Sequence, residues 1–411
     1  MRFRQVRPPV LMSYAAFVLV GINVGISGVL LPSQMASYGV DRATIGITFF
    51  TGSAGFVLAS VSTGALIHRA GIRIALTAGG GAFVLAGLYL ATRPPFTAFV
   101  LAQLVLGYGT GVLESALNVY IAGLPGATTL LNRLHAFFGV GALVGPPLAA
   151  WILGFASWTV VWLVVAAAGV PLVAGFLLAY PGREGSATDA PGAPVVHAVP
   201  DGPGPAPAPT RRPAPAPARR GMLHTALRNR GVQLGTAMLF VYVGVELGVG
   251  NWGFSYLVQA RGLHASIAGY TISGFWLGLT LGRFLISPIA ARAGATTAAM
   301  IYACLAGITA AIAAAWLSPA AVACVAFGLL GFFLGPVFPT TMAIVPRLTQ
   351  PRLVPTAIGV MNAGAVIGGS ALPWLAGTIA QNAGMQALLP FVLALSLAQF
   401  AVWRPIAARL G

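Results

Sequence analysis

Residues 107–145 read GYGTGVLESALNVYIAGLPGATTLLNRLHAFFGVGALVG, and one charge in this stretch decides the fold class. Glu114 lies inside an apolar segment running from about Phe96 to Ile121. Gly107, Gly111, Glu114 and Asn118 follow one another at steps of four, three and four, which puts them on one face of a helix. A carboxylate in such a segment is costly. It is expected to face a bundle interior or a water-filled cavity, and to mark a functional site.

Composition agrees with a membrane setting. The chain is 58% hydrophobic and 7% charged, with a mean hydropathy of +0.88, whereas soluble domains carry about a quarter charged residues. All 22 basic residues are arginine, and the net charge is +16. Few arginines stand beside aromatics; most sit in short segments between apolar runs, where positive charge orients a membrane protein rather than binds nucleic acid. Cys304 and Cys324 have neither CxxC spacing nor nearby histidines, so no metal site or disulfide is expected. No Ser/His, metal or GxxxxGK[ST] constellation accompanies the buried carboxylates. Neither an enzyme, nor a cofactor, nor direct drive by ATP is expected.

Apolar runs punctuated by Gly, Pro and Arg predict twelve transmembrane helices. They are expected near 11–31, 44–66, 74–92, 97–121, 134–154 and 158–180, then 233–257, 266–289, 297–316, 320–345, 355–379 and 386–403. The first run is longer than a signal-peptide core and is read as a span. Domain expectations are a six-helix bundle over 1–180, a linker over 181–230 and a second bundle over 231–411. Within the linker, Pro181 to Arg220 is rich in Pro and Ala, a composition that favours an extended tether. Arg2, Arg4, Arg7, Arg69, Arg73, Arg133, Arg292, Arg347, Arg352, Arg404, Arg409 and seven linker arginines fall on one side, against Arg42, Arg93 and Arg261 on the other. That asymmetry predicts cytoplasmic termini in a bacterial cytoplasmic membrane.

The halves repeat. A shift of 223 residues pairs Gly46 with Gly269, Gly55 with Gly278, and Arg69-Ala70-Gly71 with Arg292-Ala293-Gly294. It also pairs Asn23 with Glu246, and a shift of 221 pairs Gly107 with Gly328 and Pro125 with Pro346. Two parallel halves suit a transporter that exposes a central site alternately to each side.

On these residues the chain resembles the major facilitator superfamily over its whole length. Gly64 to Arg73 (GALIHRAGIR) resembles that superfamily's cytoplasmic signature, with His68 where an acidic residue is usual. Gly64, Arg69, Gly71 and Arg73 are therefore expected to serve gating, joined by Arg283 near the cytoplasmic end of the eighth span. Closer matches are Glu114-Ser-Ala-Leu-Asn118, Leu131-Asn132-Arg133-Leu134-His135-Ala-Phe137, Phe138-Gly-Val-Gly-Ala142, Tyr242-Val-Gly244, Gly282-Arg283-Phe284 and Phe338-Pro339-Thr340. These resemble the fucose–proton symporter group and related sugar transporters. The resemblance implies that Glu114 takes part in proton coupling and sugar recognition. Gly28 stands where that group's symporters carry an aspartate, ahead of Val29-Leu30-Leu31-Pro32.

Of six acidic residues only Glu114 and Glu246 fall inside spans, the fourth and seventh, and both are read as proton-coupling groups. Asn118, Tyr242, Asn23, Asn251, Trp252 and Asn362 are the candidate solute-binding residues, with Trp276 and Phe338 as further flat apolar faces. His135 is a possible proton relay. The expected function is secondary transport of a small polar solute, a sugar above all, by a monomer coupled to protons or to sodium. Efflux of drugs or metabolites by proton antiport is the alternative, and a non-transporting receptor or scaffold the second alternative.

Overall fold

A chain surrounded by hydrocarbon must satisfy its own backbone groups, so each apolar run becomes a helix. The computed structural model describes residues 8–180 and 219–410, and no strand occurs among the described residues. In chain order the first half holds α1 (Pro8–Tyr38), the single turn α2 (Arg42–Ile45), α3 (Ile47–Ala91), α4 (Phe96–Ala122), α5 (Ala127–Leu153) and α6 (Trp158–Ala179). Then come α7 (Arg219–Arg228), α8 (Arg230–Ser255) with a π-helical extension Tyr256–Ala260, α9 (Ala265–Arg292) and α10 (Thr297–Leu317). The chain closes with α11 (Ala320–Leu334), α12 (Val337–Ala343), α13 (Val345–Leu348), α14 (Val354–Ala383) and α15 (Leu388–Ala407).

α3 contains two of the expected spans. Its backbone leaves helical geometry at Gly71 (φ 85°, ψ 165°), a conformation open to glycine but strained for other residues. Gly52 packs at Gly107 and Ala59 at Gly111, ascending along α4, whereas Gly79 packs on Val112 and Phe83 on Gly109, descending along it. The chain therefore turns back on itself at Gly71. Eleven helical runs are long and apolar enough to cross a membrane, and this 50-residue run (Arg42–Ala91) holds two crossings. The protein is an all-α polytopic membrane protein with twelve crossings.

Two elements differ from expectation. The span read as continuous over 320–345 stops at Leu334 and resumes as the short α12, because Pro336 has no N–H for the preceding turn. The tether expected over Pro181 to Arg220 lies outside the described residues up to 218, and the last part of the linker, for which no element was expected, is the helix α7. Proline ends at Pro217, and the ten residues RRGMLHTALR contain a single helix-disfavouring glycine.

Helix packing repeats between the halves through glycines that let backbones touch. A Cβ on Gly107 would lie 2.0 Å from the Gly52 carbonyl oxygen, and one on Gly331 would lie 2.0 Å from that of Phe275. A Cβ on Gly55 would meet the Leu104 carbonyl at 2.0 Å, and one on Gly278 that of Gly328 at 2.1 Å. Gly107 thus corresponds to Gly331, not to Gly328 as the 221-residue shift predicts. On the other seam Gly141 meets Val18 and Gly145 meets Ile22, as Gly364 meets Thr236 and Gly368 meets Phe240. In that register the counterpart of Glu246 on α1 is Gly28, which replaces the expected pairing with Asn23.

Near Arg69 the first half is tied together at Tyr180, just beyond α6. Its hydroxyl donates to the Pro9 carbonyl at 2.8 Å and lies 2.7 Å from Ser13 Oγ. Burial holds this phenol above its ordinary range. Arg73 Nε donates to the Tyr180 carbonyl at 2.7 Å, so the signature arginine joins α3 to α6 through a backbone acceptor. Arg69 is exposed, and a Cβ on Gly64 would meet nothing within 4 Å. At the opposite end Asp41 caps α2 by accepting from Thr44 N at 2.7 Å, and hydrogen bonds from the Thr44 side chain and backbone hold its carboxyl below the usual carboxylate range.

Candidate functional site

A cavity of about 1020 Å³ lies between the halves, walled by α1, the first half of α3, α4, α8 and α14. The fourth crossing contributes Gln103, Gly107, Thr110, Glu114 and Asn118, the face that the glycine and acid spacing marked out. Asn23 on α1, Asn251 on α8 and Asn362 on α14 face the same space, so four of the expected asparagines converge with Glu114. Glu114 is the one charged side chain among the lining residues. Its carboxylate makes no ion pair among the described residues, and the neighbouring Asn118 amide donates to the Glu114 backbone carbonyl at 2.8 Å. Asn23 Oδ1 is buried without a partner.

Glu246 is elsewhere. On α8 the cavity face runs Val243, Leu247 and Asn251 at helical spacing, and one residue along the helix is a turn of about 100°. Glu246 points from that face to α9, where Arg283 Nη2 lies 3.5 Å from Glu246 Oε1. Tyr242, one turn earlier, is fully buried with its ring 6.0 Å from that of Phe338 and its hydroxyl beside Glu246 and Arg283. Neither Glu246 nor Tyr242 reaches the solute space, which corrects their expected placement there. Arg283 is correspondingly the ion-pair partner of Glu246.

Trp252 is also outside the cavity. It is fully buried, its Nε1 donates to the Pro373 carbonyl at 2.8 Å, and its ring meets Phe49 edge-on at 6.2 Å. It joins the halves near Asp41 instead of offering a face to solute. Trp276 lies against Gly250, away from the cavity; Phe338 does line it. Sequence reasoning missed Gln34, Gln103, Phe49, Phe56 and Trp162, all in the lining. Gln103 was findable, since it sits four residues before Gly107 on the face already identified.

The two ends of the cavity differ. Toward Asp41, Arg42 N and Nη2 donate to Gln381 and Gln259 at 2.8 Å each, and Trp374 Nε1 donates to the Ala43 carbonyl at 3.1 Å. Ser370 bonds Ser53 at 2.7 Å, and a Cβ on Gly28 would lie 2.3 Å from the Gly250 carbonyl oxygen. Toward Arg69 the lining continues through Ser60 and Val61 to Gly359, with Val61 80% exposed. The conformation is closed at the Asp41 end and open at the Arg69 end.

A twelve-crossing array of two repeated halves around a central, one-ended cavity defines a membrane transporter of the alternating-access type. The family model described as Major Facilitator Superfamily matches residues 14–329 and 254–409, and the chain belongs to that superfamily. It is 26% identical over 386 residues to Bypass of stop codon protein 6 of Saccharomyces cerevisiae, covering 90% of this chain and 76% of that one. It is 23% identical over 373 residues to the glucose/mannose transporter GlcP of Bacillus subtilis, covering 89% and 86%. Among solved structures it shares the fold of a bacterial homologue of the human lysosomal transporter Spinster, inward-facing and occupied. That match has a TM-score of 0.72 and 13% identity over 98% of this chain and 96% of the other. The Escherichia coli fucose:proton symporter FucP matches at TM-score 0.59 and 15% identity, over 96% and 98%.

Proposed function

We propose that this transporter moves a small, uncharged polar solute, a sugar, by alternating access, and that a proton carried on Glu114 couples the movement. The observation that carries this reading is the lining: one carboxylate, no basic side chain, and carboxamides from Asn23, Gln103, Asn118, Asn251 and Asn362. Carboxamides donate and accept, as polyol hydroxyls require, and apolar neighbours such as Phe56 and Trp162 suit the flat face of a ring. An anionic solute would meet no cation there. GlcP and FucP, named for hexoses and fucose, support a sugar.

Glu114 supplies the coupling chemistry. An ionised carboxylate closed off from bulk water without a partner carries a desolvation penalty of several kcal/mol, and a bound proton removes it. Exchange of access then proceeds with the carboxyl protonated, and the proton leaves when the cavity opens to water. Glu246, held by Arg283, has the role of an ion-paired support. By the arginine asymmetry the open Arg69 end faces the cytoplasm, with the termini on that side of a cell membrane.

The test is uptake of a radiolabelled sugar panel into proteoliposomes under an inward proton gradient, with and without sodium. Accumulation that needs the proton gradient, and that Glu114→Gln abolishes while counterflow exchange persists, is the expected result. No sugar movement, or normal accumulation by the variant, overturns the reading and leaves proton-antiport efflux as its replacement.

A further inference from the structure

We propose that His135 is a second proton-accepting site, outside the solute cavity, whose charge sets how readily the Arg69 end closes; this rests on the alternating-access reading above. α5 of the first half and α9 of the second cross antiparallel along a series of contacts. Ala150 meets Gly269, the Leu143 carbonyl accepts from Ser273 Oγ, and Gly139 faces Thr280. The next level toward the Arg69 end brings His135 opposite Arg283. Together with Trp276 and Thr280 they line a void of about 30 Å³, enough for one water molecule.

That level is under-satisfied in the open conformation. Arg283 reaches Glu246 through Nη2 only, at 3.5 Å, and its Nε is buried without a partner. The Trp276 indole N–H is likewise buried without a partner, while the Tyr242 hydroxyl lies beside Glu246 and Arg283. Among the residues lining the void, His135 is the side chain of the facing half with an acceptor to offer. Closing the Arg69 end brings α5 and α9 together at this level. A neutral imidazole then accepts from Arg283 Nε–H, whereas an imidazolium has no acceptor and sets one cation against another. The neutral form promotes closure and the charged form opposes it. Histidine ordinarily titrates between about pH 5 and 8, so the site responds to the pH of the compartment at the Arg69 end.

The surroundings of His135 contain few competing charges. From α1, Phe17 meets its ring edge-on at 5.5 Å, and Tyr14 stacks on the neighbouring Phe137 at 4.7 Å. From α9 the charged group is Arg283, with Glu246 and Tyr242 of α8 behind it. Arg133 is on the same helix, α6 carries no titratable side chain, and Glu114 of α4 faces the solute cavity.

The experiment is a distance measurement by electron–electron double resonance on the full chain in lipid nanodiscs, without solute. Spin labels go at Ala65 and Pro355, exposed positions at the Arg69 end of the two halves. In Glu114→Gln, whose cavity side chain is neutral at every pH, the closed-to-open ratio is expected to rise by about fivefold or more between about pH 5 and pH 8, the scale of an ordinary coupling energy. Adding His135→Gln is expected to remove that dependence, as is adding Glu246→Gln with Arg283→Gln. A full pH response with His135→Gln present overturns the proposal, as does the absence of any response in Glu114→Gln. If the combination with His135→Gln is not monodisperse, the combination with Glu246→Gln and Arg283→Gln decides on the same criterion. No sugar enters the measurement, so a failed uptake assay and a failed distance assay are separate results.

Discussion

Glu114 and Glu246 are the same side chain inside transmembrane helices of opposite halves, and their surroundings are opposites. Glu114 faces a cavity of about 1020 Å³ with no ion-pair partner among the described residues. Glu246 is turned from that cavity into helix packing and faces Arg283 at 3.5 Å. A carboxylate facing accessible space can exchange a proton with it; one matched to a guanidinium gains by staying charged. Position on the helix surface, more than residue type, separates the acid that faces the cavity from the one that is ion-paired in the packing.

The largest effect expected from this contrast is on transport. Glu114→Gln should reduce gradient-driven accumulation to simple equilibration without lowering the melting temperature, whereas Glu246→Gln should leave coupling to the gradient intact; uptake and thermal melts on both variants check this. Moving the acid across the pseudo-symmetry should fail. Gly28→Asp, at the counterpart of Glu246, forces a side chain against the Gly250 backbone and should cost about 3 kcal/mol or more, read as a lower melting temperature. Glu246→Gln leaves Arg283 facing a neutral amide. A loss of about 1–3 kcal/mol is expected, partly recovered in Glu246→Gln/Arg283→Gln, and denaturant unfolding of the pair measures the coupling. The smallest effect belongs to Arg42→Ala, which removes one side-chain bond at a partly exposed seal. It should shift the open–closed balance by less than about 1 kcal/mol, visible as increased labelling, from the Asp41 side, of a cysteine introduced at the cavity position Ser27.

Much of this was legible from the residues alone. The membrane class followed from composition, and the reversal at Gly71 was signalled by the arginines and glycine between two apolar runs. Glu114 and Asn118 share the face that their spacing predicts, and Asn23, Asn251 and Asn362, legible only as polar residues within spans, line the same cavity. The rotation of α8 was not legible: Leu247 lines the cavity and Glu246 does not, and an apolar helix with little polar contrast does not reveal which stripe faces inward. Trp252 read as a solute platform because its partner, the Pro373 carbonyl, lies 121 residues away. The repeat register of α1 against α8 was wrong because glycine spacing on one helix cannot report which residue of another helix it touches.

The α5–α9 crossing has a mechanical meaning. Gly139 sits so close to Thr280 that a Cβ there would lie 2.5 Å from its hydroxyl oxygen, and Gly269 abuts Ala150. Such a joint is a fulcrum with no bulk to jam it. α9 has 28 residues, roughly 40 Å at the usual rise, so each lever arm from the crossing is roughly 20 Å. A rocking of about 15°, the size of known subunit rotations, sweeps each tip through about 5 Å. That travel is enough to part the Arg42 seal at one end while shutting the other, with the fulcrum itself barely moving.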